Sequence, residues 1–285
     1  MHLKRWITSV IAFPLLVLLI GKGGRFLFTI LISIVCILSL WEYFRIVFNG
    51  KSSAAPIKPE TSNIQGRGLS TFSFQLLAFI IGPIIVWAAY RNSFEIILGL
   101  ISLNIILAAS LSLPWFKFDP SVSEIVIKQT LSIIYIPLFL SYIVLIRNGT
   151  AGIAWIFFLL GVVFAGDIGA FYIGSYWGRH KLCPAVSPAK TVEGSMGGLV
   201  ANIGAGALFK YYFLPLVPWH LSILLFISIG IAGQIGDLFE SELKRAAHIK
   251  DSGVILPGHG GMLDRIDALL FAAPVAFFFK EYVLY

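Results

Sequence analysis

The feature that most limits what this chain can become is the recurrence of apolar runs about 20 residues long. A bilayer core of about 30 Å takes roughly 20 apolar residues per helix. The sequence offers nine such runs, at 6–21, 26–47, 71–90, 94–114, 129–146, 151–177, 195–217, 219–243 and 265–284. Backbone amides cannot be left unpaired in lipid, so runs of this length must close their hydrogen bonds as helices. The expectation is an all-α, polytopic integral membrane protein with about nine transmembrane helices. The fifth run reads as short, and the seventh is interrupted by Asn202, Lys210 and several glycines. Composition agrees, with 58% hydrophobic and only 12% charged residues against about 25% charged in soluble domains. The longest polar interval, residues 48–70, is rich in Pro, Gly and Ser and reads as a loop.

The opening "MHLKRWITSVIAFPLLVLLI" has the basic head and apolar stretch of a signal peptide. No small-x-small cleavage site follows it, so it is expected to stay as the first helix. Placing the N-terminus inside puts fifteen of the twenty-one Lys and Arg residues in cytoplasmic segments and six outside. The positive-inside rule therefore favours an N-in, C-out chain in the cell (inner) membrane. The net charge of +7 reads as a basic face toward anionic membrane lipid, and nucleic acid is not needed to explain it. With Cys36 inside the second run and Cys183 in an expected cytoplasmic loop, the two cysteines offer neither a disulfide framework nor a CxxC metal site.

Charge gathers where this topology makes the chain cytoplasmic. "KDSGVILPGHGGMLDRID" (250–267) packs three acids, two basic residues, a histidine and four glycines into one turn beside the last run. In the sixth run Asp167 lies eleven residues before Gly178, roughly 16 Å below the helix end. A carboxylate at such depth costs about 2.5–3.5 kcal/mol, and intramembrane acids generally line cavities. In the eighth run Gly230, Gly233, Asp237, Ser241 and Lys244 share one helical stripe. Small-residue helix packing explains its glycines and leaves Asp237 unexplained. Asp264 and Asp267, three apart, share a face at the start of the last helix. The helix dipole explains either one singly, but together with Asp237 they suggest a hard-oxygen metal site. Mg2+ suits such a set, because it takes one or two protein carboxylates and fills its shell with water and phosphate.

The stretch "SPAKTVEGSMGG" (187–198) sets Ser187, Lys190, Thr191 and Glu193 before a glycine-rich helix start. Backbone N–H groups there favour anions, so phosphate binding stands against a merely solvated loop. The GxxxxGK[ST] spacing of a Walker A loop is absent, as are SxxK and GxSxG signatures of acyl chemistry.

The string 237–267, "DLFESELKRAAHIKDSGVILPGHGGMLDRID", resembles the signature of phosphatidate cytidylyltransferases, or CDP-diacylglycerol synthases. The matching positions are Ser241, Lys244-Arg245, Lys250-Asp251-Ser252, Pro257-His259-Gly260-Gly261 and Asp264-Arg265-Asp267. An upstream block, "GDIGAFYIGSYWGRHKLCPAVSPAKTVEGSMGG", matches at Asp167, Ser187, Lys190, Thr191, Glu193 and Gly194, although Ile168 stands where many members carry a hydroxyl residue. The first 150 residues match only in kind, as apolar helices with a "WEYFRI" ending.

The resemblance implies an Mg2+-dependent reaction, with a second cation possible, in which CTP and phosphatidate give CDP-diacylglycerol and pyrophosphate. It also implies a homodimer working at the cytoplasmic leaflet. Residues 1–150 would then be scaffold, and 151–285 would carry the chemistry. Lys244, Arg245, Asp264 and Arg265 would be catalytic. Ser187, Lys190, Thr191, Glu193, Ser241, Lys250, Asp251, His259, Gly260 and Gly261 would bind substrate. Asp237 and Asp264 are expected to hold metal directly, with Asp267 and Asp167 as further ligands or as partners of the ligands. Two rivals differ in kind. A CTP-dependent polyprenol or phytol kinase would need a base to deprotonate an alcohol. A cation transporter relaying through Asp167 and Asp237 would not need the Lys- and Gly-rich loops.

Overall fold

The computed structural model describes residues 14–49, 64–215, 218–253 and 260–284. Helices α1 (Gly24–Asn49), α2 (Ile64–Tyr90) and α3 (Phe94–Phe116) come first. Helix α4 (Val122–Ile133) passes through a π-turn (Ile134–Leu138) into α5 (Phe139–Asn148). After α6 (Gly152–Trp177), strands β1 (Lys181–Cys183) and β2 (Ser187–Thr191) pair antiparallel, Lys181 opposite Thr191 and Cys183 opposite Ser187. Helices α7 (Val192–Phe213), α8 (Trp219–Ala246) and α9 (Leu263–Phe278) complete the bundle, the last ending in a π-turn (Phe279–Val283).

The architecture is all-α and multi-pass. Among the described residues, six helical stretches are long and apolar enough to cross a membrane. Half of the expected first span, residues 6–13, lies outside the described residues, and its second half, 14–21, is helical. The seventh and ninth expected spans do form helices, but outside that six. Helix α7 carries five glycines, Asn202 and Lys210, and α9 has only 16 residues. A further difference concerns the fifth run. Val122–Asn148 is one continuous path of 27 residues, longer than the apolar run predicts. Its polar first turns are held rather than frayed. Gln129 and Asn104 of α3 exchange buried side-chain bonds at 2.7 and 3.2 Å, and the Tyr43 hydroxyl of α1 donates to the Lys128 carbonyl at 3.0 Å. Pro137 has no N–H to give and would crowd the carbonyl one turn back, which accounts for the π-turn around it.

Successive helices run up and down, so alternate connections meet at the same end. At one end Arg147 donates to the Ile20 carbonyl at 3.0 Å, and Asn148 donates to the Ala89 and Tyr90 carbonyls at 3.1 Å. At the other end gather the β-ribbon, the α8–α9 connection and the ends of α1 and α4. Between them sits an aromatic core. Tyr135 meets Phe239 edge-on at 5.2 Å, and Phe139 meets Phe271 at 5.3 Å. These contacts fasten the π-turn and α5 to α8 and α9, the helices that carry the charged signature.

Candidate active site

Helices α6, α7 and α8, with the β-ribbon, surround a cavity of about 390 Å3 whose polar lining is Asp167, Ser175, Lys190, Thr191, Ser195, Asn202, Gln234 and Asp237. That volume suits a small-molecule site. Local structure sets each group. Thr191 ends β2 and caps α7, its hydroxyl accepting from the Gly194 N–H at 3.1 Å. Such a cap fixes the entry of the chain into the helix, and so fixes Lys190 just before it. The Lys190 ammonium lies 2.5 Å from Asp237 Oδ2, with both side chains about one-third exposed. One turn further along α8, Ser241 Oγ lies 3.5 Å from Asp237 Oδ1. Gln234 donates to the Ser195 carbonyl at 3.0 Å and accepts from its hydroxyl.

Glu193 works beside the cavity rather than in it. Its carboxylate accepts from the Arg179 N–H at 3.0 Å and pairs with His180 Nδ1 at 2.5 Å. Standing before the apolar run of α7, it is held down to about 2, chiefly by the His180 side chain and then by backbone donors. It clamps the end of α6 to the start of α7. Ser187 is half-buried in β2 and is not among the cavity's lining residues.

A second cavity, of about 140 Å3, is lined by Asp167, Asp264, Arg265 and Asp267 against Leu160 and Phe164. Asp167 thus lines both cavities. Lys244 does not project into either. Its ammonium pairs with buried Glu240 and donates to Asp264 Oδ1 at 2.7 Å. Asp264 Oδ2 accepts from the Ser252 and Gly261 N–H groups at 3.0 and 2.9 Å. Both Asp264 oxygens are therefore held by the chain's own donors. Arg245 donates from Nε to the Val186 carbonyl at 3.1 Å and from a terminal nitrogen to Ile249 at 3.3 Å, tying the ribbon to α8. Lys250, Asp251 and Arg265 are exposed. Gly260 has φ +83°, a conformation that glycine adopts without strain, and Gly261 follows it buried against α1. His259 lies outside the described residues.

For a metal, the donor chemistry is what can be weighed. Among the described residues no three His, Cys, Asp or Glu side chains converge on one point. Asp167 and Asp237 share one cavity, and Asp167, Asp264 and Asp267 share the other. An all-carboxylate set offering one or two ligands at a time fits a hard cation that completes its shell with water and phosphate.

Two acids escape sequence reasoning. Glu42 of α1 is fully buried and accepts from Ser252 Oγ at 2.9 Å, Met262 N at 2.9 Å and Leu263 N at 2.8 Å. The available signal is a lone acid ending an apolar run, "LWEYF". Glu240, fully buried, meets Lys244 one turn on, and the i, i+4 spacing of the two is visible in the sequence.

The fold and site define a class: a polytopic helical membrane protein whose pocket sets a lysine, hydroxyls and carboxylates at one end of the bundle. The chain belongs to the cytidylyltransferase family, whose model matches residues 3–283. It is 42% identical over 150 residues to a phosphatidate cytidylyltransferase of Bacillus subtilis (strain 168), covering 52% of this chain and 56% of that protein. An Escherichia coli (strain K12) protein described as uncharacterized, YnbB, is 43% identical over 138 residues, covering 48% and 46%. A phosphatidate cytidylyltransferase of Mycobacterium tuberculosis (strain ATCC 25618 / H37Rv) is 36% identical over 143 residues, covering 50% and 43%. The chain spans about half the length of the curated relatives it matches.

Proposed function

We propose that this protein transfers the cytidylyl group of CTP to phosphatidate, releasing pyrophosphate and leaving CDP-diacylglycerol in the membrane. One observation carries the reading: the Lys190–Asp237 pair in a 390 Å3 cavity, on the two blocks that match the signature. The family membership and the named relatives support the same reaction.

The chemistry suits these residues. The nucleophile is a phosphate oxygen of phosphatidate, already ionised at neutral pH, so no general base is required. It attacks the α-phosphorus of CTP, and the bond to the β-phosphate oxygen breaks as pyrophosphate departs. Bringing one polyanion onto another is the obstacle, and it is met by positioning and charge neutralisation. Lys190 supplies positive charge at the cavity. Thr191 and the α7 start supply a hydroxyl and a helix N-terminus that favour phosphate. Asp237, with Asp167 and Asp267 beside it, would hold Mg2+, which supplies charge stabilisation to the triphosphate when bound. Asp264 would join that set through the lone pair of Oδ1 that Lys244 does not use, since Oδ2 already accepts from two backbone N–H groups. The remaining expectations complete the reading: a cytoplasmic active site in the cell membrane, contact with anionic lipid, and a homodimer.

The test follows pyrophosphate and CDP release by purified protein in detergent, with CTP, Mg2+ and either phosphatidate or diacylglycerol. Turnover with phosphatidate alone is expected. Phosphorylation of diacylglycerol, with CDP released in place of pyrophosphate, would overturn the assignment in favour of a kinase.

A further inference from the structure

We propose that Glu42 is a positioning residue for this reaction: from α1, it clamps both ends of the α8–α9 loop and thereby aims Asp264. The proposal rests on the cytidylyl-transfer reading above.

Glu42 is fully buried, and its contacts are one-sided. Oε1 accepts from the Met262 N–H, and Oε2 accepts from the Leu263 N–H and the Ser252 hydroxyl. All three donors belong to the loop or its junction with α9. Two of them are backbone groups at the α9 N-terminus, which an anion caps favourably. A buried carboxylate is costly, and an apolar residue of similar size would serve plain packing as well or better. The observed geometry instead spends the charge on the two ends of the loop.

Two neighbours fit the same account. A Cβ added at Gly253 or at Gly261 would sit 2.7 Å from the Glu42 carboxyl carbon, so both sides of the loop need glycine to close on the acid. Ser252 joins the two carboxylates, its hydroxyl on Glu42 and its N–H on Asp264, while the Gly261 N–H also bonds Asp264. Glu42 and Asp264 therefore grip the same two ends of the loop. Asp264 in turn lines the smaller cavity and holds Lys244. A residue from the half of the chain read as scaffold thus sets the geometry of the signature.

The experiment compares wild type, Glu42→Gln, Glu42→Asp and Ser252→Ala, each purified in detergent. Two readouts are used: turnover against CTP and phosphatidate concentration, and backbone hydrogen exchange of peptides covering 250–264. Glutamine cannot accept on both sides, so kcat is expected to fall about tenfold or more, the scale of one lost charge-assisted bond. Exchange should rise at Ser252 and 261–263 while α6 and α7 stay protected. Glu42→Asp keeps the charge and should recover part of the lost kcat. Ser252→Ala, a milder cut, should raise exchange in the same peptides even if Glu42→Gln does not fold. Wild-type kcat and loop exchange in Glu42→Gln would overturn the proposal. So would a loss of turnover that tracks only the amount of folded protein, or unchanged exchange in Ser252→Ala. If wild type itself does not turn over CTP and phosphatidate, the reaction assignment falls, while the exchange data still decide whether Glu42 holds the loop.

Discussion

Replacing Lys244 by methionine keeps the aliphatic bulk and removes the one ammonium that lies between Glu240 and Asp264. The three side chains are 12%, 0% and 11% exposed, so water replaces it poorly, least of all at Glu240. The two acids then fare differently. Asp264 keeps the N–H groups of Ser252 and Gly261. Glu240 has its ion pair with Lys244, but neither carboxylate oxygen accepts a hydrogen bond. Removing one partner of a buried pair costs about 3–5 kcal/mol, and a cation shared by two acids belongs toward the upper end. That is a large part of a typical folding stability of about 5–15 kcal/mol. Adding Glu240→Gln should recover about 2 kcal/mol, because a desolvated neutral amide costs less than a bare carboxylate. Thermal unfolding of wild type, both single variants and the double variant can be followed through the buried Cys36 thiol once Cys183 is blocked. Simple additivity of the two penalties would refute the reasoning, since residues in contact must couple. Turnover of the same four proteins decides the role of Lys244. Recovered fold without recovered turnover keeps Lys244 in the catalytic group, and recovery of both makes its task structural.

Three further outcomes are expected. Lys190→Ala should raise KM for CTP or phosphatidate about tenfold or more, as for a lost charge-assisted bond of ~1.5–3 kcal/mol; unchanged saturation curves would return the β2–α7 junction to a solvated loop. Asp237→Asn preserves shape and removes charge, so turnover should fall about a hundredfold or more, the scale of one lost electrostatic contact to a transition state; near-normal turnover at low Mg2+ would remove Asp237 from the metal set. Cys183, half-buried on the β-ribbon, should resist an impermeant thiol reagent in intact cells and react after permeabilisation; ready labelling from outside would reverse the orientation.

Much of this was legible because apolar length and local spacing are properties of the chain itself. The run 26–47 sits inside α1, and the spacing of Asp237 and Ser241 survives as a contact on α8. The extension of α4 was not legible. Ser123, Glu124 and Lys128 lower the local hydropathy ahead of the run that starts at Gln129, whose own burial depends on Asn104, 25 residues away. Glu42 was hidden for the same reason, with partners 210 to 221 residues further on. Lys244 reads from sequence as a cation for substrate, yet the structure sets it between two acids, one on its own helix and one on α9. Periodicity says which face a residue occupies. It does not say whether the charge on that face is already satisfied.

The shared wall at Asp167 has a thermodynamic consequence. Because one carboxylate borders both compartments, a cation or phosphate entering either one alters the potential felt in the other. Coupling of this kind is reciprocal: whatever the first occupant does to the affinity for the second, the second does to the first. Occupancy of the two compartments is therefore one joint equilibrium, whose size can be read by titrating either occupant at fixed levels of the other.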